Sequence, residues 1–185
     1  MIAKALATPR PKEKKEKLFK KHSKFINVFS ISILVVIVVG YFVYVNMPIL
    51  SVRIAGAQAG INAKYPEYHP DGYSIDGPVS YSDGEVTINF HANTGNTKFV
   101  IKQSKSTWDS SAVKNKVTAD YKGEFVATEV QGLTIFTYNG NATWVNGGIL
   151  YSISGDAKLN NDQIRRIATS SVSYTHLTLP TTERV

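Results

Sequence analysis

Residues 78–92, PVSYSDGEVTINFHA, decide the fold. Asp83-Gly84 is a turn dipeptide, and it divides 78–82 from 85–92. In the second half Val86, Ile88 and Phe90 alternate with Thr87, Asn89 and His91. Successive side chains of a strand point to opposite faces, so this period of two describes a hairpin strand with one face buried.

The same pattern continues toward the C-terminus. Stretches 98–103, 124–130, 133–138, 143–145 and 149–154 are predicted strands, with Phe99 and Ile101 sharing a face in the first. Asp71-Gly72 and Asp76-Gly77 mark turns upstream, and Asn139-Gly140-Asn141 and Gly147-Gly148 mark turns downstream. Strands that succeed one another through short turns pair antiparallel, because a parallel pair needs a crossover of a dozen or more residues. Two short helices interrupt them. Asp109 is the expected N-cap of the first, with Trp108 and Val113 as its hydrophobic staple. In the second, Asn160 and Gln163 form a capping box and Leu159 reaches Ile164. Ile164, Ile167 and Ala168 make the buried stripe there, leaving Arg165 and Arg166 outward.

Toward the N-terminus, residues 50–63 (LSVRIAGAQAGINA) place Leu50, Ile54, Ala57 and Ile61 at helical spacing, a stripe expected to lie on the sheet. Gly56 and Gly60, four apart, allow close backbone approach or helix pairing. Before them, residues 25–45 read FINVFSISILVVIVVGYFVYV, 21 residues without a charge. At ~1.5 Å per residue this covers about 30 Å, the hydrocarbon thickness of a bilayer. Pro48 is expected to stop the helix.

The expected class is therefore α+β: a transmembrane helix, then an antiparallel β-meander with helices packed on one face. The expected organisation is a basic tail (1–24), a transmembrane signal anchor (25–46), an extracytoplasmic domain (47–172) and a disordered or non-native tail (173–185).

The chain carries 21 Lys and Arg against 14 Asp and Glu, a net charge of +7. Nine of the basic residues and only Glu13 and Glu16 fall in 1–24, so the remainder is balanced, 12 against 12. A neutral domain offers no footprint for a phosphate backbone, which argues against a nucleic-acid partner. The tail, with Pro9, Pro11 and a Lys/Glu run, reads as disordered, and either orients the anchor or also attracts anionic lipid. Only Arg53 and Lys64 follow the apolar run within twenty residues, so the N-terminus is expected in the cytoplasm. A cleaved signal peptide competes with the anchor, because Ala55-Gly56-Ala57 and Ala57-Gln58-Ala59 resemble cleavage sites. The apolar run is longer than a signal's, however, and ends well before them.

There is no cysteine, which excludes disulfides, thiol catalysis and Cys-ligated zinc. Ser111-Ala-Val-Lys114 matches the S-x-x-K of penicillin-recognising enzymes, whose Lys can take the Ser proton. The companion S-D-N and K-T-G signatures are missing. His69 and His91 do not complete a ligand set, and Glu85, Asp109, Asp120, Glu124 and Glu129 are scattered singly. Asn141-Ala142-Thr143 fits a glycosylation acceptor, but turn geometry accounts for the Asn. No enzyme, metal site or cofactor is expected. If the domain binds a ligand, Trp108, Tyr138, Trp144 and Tyr151 are the candidates, aromatics near the sheet end; otherwise they fill the core.

Four stretches carry a resemblance: residues 59–90, SKSTWDSSAV (104–113), QGLTIFTY (131–138) and ATWVNGGILYSISGDAKLNNDQIRRIATS (142–170). Together they resemble the bacterial extracytoplasmic domain of unknown function found in anti-sigma-like and sporulation-associated membrane proteins. Some members of that family join it to a cytoplasmic sigma-factor-binding module. This chain departs there, since 24 residues are too few for one. The resemblance brings no catalytic residues. By analogy of fold it implies an envelope sensor or carrier whose curved sheet holds an apolar ligand. The expected function is a membrane-anchored, non-catalytic extracytoplasmic binding or sensing domain of a bacterial envelope protein. Its expected partners are the bilayer, through 25–46, and an envelope protein or apolar ligand. The alternative is a structural or assembly factor acting through protein–protein contacts.

Overall fold

A computed structural model describes the backbone of residues 13–172 and side chains from residue 27 onward. The first part of the basic tail and the terminal 173–185 lie outside the described residues. The chain forms two compact units that divide between residues 46 and 47.

Helix α1 runs from Glu13 to Ala59. It therefore includes residues 13–24, where the sequence reading expects no regular structure. Lys and Glu are good helix formers, and no Gly or Pro falls between Glu13 and Val39. From Asn27 onward the helix is long and apolar enough to be a membrane anchor, and none of its apolar window is buried. Its polar side chains bond back to the helix: Ser32 Oγ donates to the Val28 carbonyl (2.9 Å) and Asn46 Nδ2 to that of Phe42 (2.8 Å).

Pro48 lies inside α1 and does not end it. Proline removes one backbone donor, at a cost of about 3 kcal/mol in a helix interior. The following turns are held instead by packing, because Val52, Ala55 and Ala59 are buried in the core of the second unit. The buried stripe is thus Val52, Ala55, Gly56 and Ala59, not the expected Leu50, Ile54, Ala57 and Ile61. Leu50 is 46% and Ile54 50% exposed. A small residue is needed at Gly56 because the chain folds back over it after the helix: a Cβ there would meet Ala63 Cβ and the Ile61 carbonyl oxygen, both at 2.9 Å. Gly56 therefore serves the fold of its own chain, not helix pairing. Gly60 takes a positive φ (68°) and ends the helix. Ile61 N–H donates to Gly56 C=O and Gly60 N–H to Ala57 C=O, the two bonds of a Schellman turn.

The second unit is an eight-stranded antiparallel sheet. Its strands are β1 (Tyr73–Ile75), β2 (Ser80–Ser82), β3 (Glu85–Ala92), β4 (Lys98–Lys105), β5 (Val126–Val130), β6 (Leu133–Tyr138), β7 (Asn141–Asn146) and β8 (Ile149–Gly155). The order is β1-β3-β4-β8-β7-β6-β5, and β2 also borders β3. One continuous meander is therefore not formed. A β3–β4 hairpin and a β5–β8 meander join where β4 pairs with β8, Ile101 opposite Ile153 and Gln103 opposite Tyr151. The three turns of the meander are two-residue turns: Gln131-Gly132, Asn139-Gly140 and Gly147-Gly148, every residue at positive φ. Such turns match the strand twist.

Helices α2 (Ser110–Asp120) and α3 (Asn161–Ser170) complete the unit. α3 carries the expected capping box of Asn160 and Gln163 and buries Ile164, Ile167 and Ala168. It shares the main core with the end of α1 and with Val86, Ile88, Phe90, Ile101 and Ile153. α2, capped by the Asp109 carboxylate accepting from Ala112 N–H, belongs to a second cluster with Phe136, Tyr138, Val145 and Leu150. Those four residues alternate with the core-facing Ile135, Trp144 and Tyr151 along their strands, so α2 covers the opposite face. The α+β class is as expected, but the helices occupy both faces rather than one.

Candidate functional site

The four aromatic candidates separate into two environments. Trp144 and Tyr151 are directly paired across β7 and β8 and fully buried. Their rings stack at 5.2 Å and 3° in the main core. The Trp144 indole N–H is buried and finds no acceptor. Burial also pushes the Tyr151 phenol up to about 12. These two side chains are part of the main core.

Tyr138 and Trp108 lie on the other face. Tyr138 borders a cleft of about 120 Å³ with Val113, Lys116, Val117, Asp120, Tyr121 and Thr143. Its hydroxyl is 3.1 Å from Thr143 Oγ1. Trp108 is 40% exposed, beside Leu150 and below the Lys116 ammonium, 5.8 Å from its ring centroid. Lys116 in turn bonds Asp120 at 2.8 Å, and that hydrogen bond raises the Lys116 pKa above its ordinary value. The cleft is small and its one ammonium is already neutralised. A cavity lined predominantly by apolar groups and some hundreds of Å³ in volume is the usual seat of an apolar ligand.

Ser111 and Lys114 are both exposed on α2, and no described hydrogen bond joins them. Among the described residues no three His, Asp or Glu side chains cluster as a metal site. Asp76 bonds Lys98 (2.8 Å) and lies 3.8 Å from His91 Nδ1. The Lys98 hydrogen bond holds the Asp76 carboxyl below its usual range. The pair is exposed, so its stabilisation is small and is lost only as pH falls through that lowered value.

Another surface was not singled out by composition. Arg53, Ala57, Ile61, Asn62, Ala63 and Lys64 line a groove of about 300 Å³ where the chain turns back from α1. Its shape depends on Gln103, fully buried on β4. The Gln103 amide accepts from Lys64 N–H (2.8 Å) and donates to Lys64 C=O (2.6 Å), as a neighbouring strand would. Beyond it, Tyr68 N–H donates to Ser170 Oγ and the Arg166 guanidinium lies 3.8 Å from the Tyr68 ring centroid, tying the loop to α3. Gln103→Leu leaves both Lys64 backbone groups without a partner and should lower stability by about 2 kcal/mol. A urea midpoint equal to the parent's in detergent, with no faster exchange of the Lys64 amide, would contradict that role.

Comparison of the chain with protein-family models, with curated proteins and with solved structures finds no match in any of the three.

Proposed function

We propose that the chain is a membrane-anchored, non-catalytic binding or sensing domain of a bacterial envelope protein, facing outward on a cytoplasmic N-terminal tail. The observation that carries this reading is the bare apolar stretch of α1, with Val36 69%, Val38 57% and Phe42 70% exposed. Apolar surface of this extent is stable in lipid and not in water. The charge bias of the tail supports the direction. The balanced charge of 47–172 and the absence of a cysteine support a binding role without nucleic acid or thiol chemistry. The resemblance of 59–90 and 142–170 to extracytoplasmic domains of anti-sigma-like and sporulation-associated proteins points the same way.

A second reading, an assembly factor working through protein–protein contacts, is favoured by one specific feature. Trp144, Phe90, Phe99 and Tyr151 are buried in the main core, where Phe90 stacks on Phe99 and Trp144 on Tyr151. Contacts then belong to the surface.

The cysteine-free sequence permits a clean test of topology. A membrane-impermeant maleimide on intact cells should label Lys122→Cys, on an exposed loop, and spare Lys4→Cys. The reverse pattern inverts the topology, and labelling of neither in a soluble extract removes the anchor. Chemical crosslinking in the envelope should then recover a second protein, and recovery of bare monomer alone counts against both readings.

A further inference from the structure

We infer that the groove of Arg53, Ala57, Ile61, Asn62 and Lys64 seats the anionic headgroup of a phospholipid from the membrane that α1 enters. The inference rests on α1 being an anchor and holds for either orientation. Arg53 and Lys64 line the groove, no carboxylate does, and neither cation is in an ion pair among the described residues. The Gln103 amide bonds both the N–H and the C=O of Lys64, so the backbone from which this cation extends is anchored before any anion arrives.

The apolar half of the match lies on the same helix. Met47, Leu50 and Ile54, spaced three and four apart, are 52%, 46% and 50% exposed. They point away from the core that takes Val52, Ala55 and Ala59. Cations next to bare aliphatic side chains fit a molecule with a charged head and an apolar body. A second copy of the chain fits less well. Residues 47–64 contain no Asp or Glu, so a copy on this stripe brings a second Arg53 and nothing to neutralise either. Chain length also restricts the partner. Arg53 follows Val45, the last residue of the apolar run, by eight positions, no more than about 29 Å even fully extended. Anionic headgroups are therefore always within reach.

The test uses the full chain, with a photo-crosslinking residue introduced at the exposed Ala57, in vesicles of equal phosphatidylglycerol and phosphatidylcholine. Each cation near an anionic surface is worth about fivefold in affinity, so phosphatidylglycerol adducts should exceed phosphatidylcholine adducts at least by that factor. Arg53→Gln combined with Lys64→Gln should bring the two to parity without shifting the thermal midpoint. Neutralising Lys12, Lys14, Lys15 and Lys17 in the tail should leave the ratio unchanged. Parity in the parent chain overturns the inference, as does a ratio indifferent to the double substitution, or an adduct to a second copy. If the chain is instead extracted by alkaline carbonate without detergent, the anchor itself is wrong and the inference falls with it.

Discussion

Gly155→Ala should unfold most of the second unit, with a loss of about 4 kcal/mol or more. Gly155 ends β8 at φ +154°, and a Cβ there would sit 2.3 Å from the Lys98 carbonyl oxygen and 2.7 Å from Phe99 Cα. Both are backbone atoms of β4, so no side chain can swing aside. The same point is tightly bonded. Asp156 N–H and Ala157 N–H both donate to the Lys98 carbonyl at 3.1 Å, and the Asp156 carboxylate accepts from Lys98 N–H. Moving β8 away to admit a methyl group breaks these bonds and separates the two halves of the sheet, which meet only through β4 and β8.

Gly132→Ala is the control. Gly132 also has positive φ (76°), but nothing lies within 4 Å of its Cβ position. The left-handed backbone alone should cost about 1–2 kcal/mol. Urea unfolding in detergent micelles, followed by far-ultraviolet circular dichroism, separates the two substitutions. Equal losses would mean that conformation, not the clash with β4, sets the effect at Gly155.

Much of this arrangement is written locally in the chain. Val86, Ile88 and Phe90 are each fully buried, as their alternation requires, and the Asn160 capping box forms as spaced. The side of α1 was not legible. Both of its stripes are apolar, so period alone cannot choose between Leu50 with Ile54 and Val52 with Ala55. The choice is made by the chain returning at Ile61 and Ala63, which leaves no space for a side chain at Gly56 while Leu50 and Ile54 stay exposed. The β4–β8 pairing joins residues about fifty positions apart, and no local pattern records it. Nor does any pattern say which face α2 covers, since Val113 and Val117 suit either.

The aromatic candidates failed to converge for a related reason. Trp144 and Trp108 look alike by composition, but Trp144 shares strand parity with the buried Ala142 while Trp108 sits in a loop. Gln103 continues the parity of Phe99 and Ile101, a polar residue at a position due to be buried. Such a residue demands a partner, and here the partner is the backbone of Lys64.

Between pH 10 and pH 12 the domain should lose about 2–3 kcal/mol of stability through Tyr151 alone. Its phenol is 2% exposed and stacked on Trp144, so ionisation would place a phenolate in an apolar core. Burial raises the folded pKa to about 12 from 10.0. A raised pKa means that stability is intact below the unfolded value and is lost as pH climbs through the folded one. Tyr65 is shifted in the same direction by its own burial. Lys98 and Lys116 are held above their ordinary pKa by Asp76 and Asp120 and also lose charge at alkaline pH, so the total loss is not specific to one tyrosine. Tyr151→Phe isolates it. No described hydrogen bond uses the Tyr151 hydroxyl, and removing it should cost less than about 1 kcal/mol at neutral pH. The variant should then show a shallower fall in urea midpoint above pH 10 than the parent. Its tyrosinate absorbance should likewise lack the late-titrating step. Parallel decline of the two proteins would place Tyr151 in contact with water and open the stacked pair with Trp144 to ligands after all.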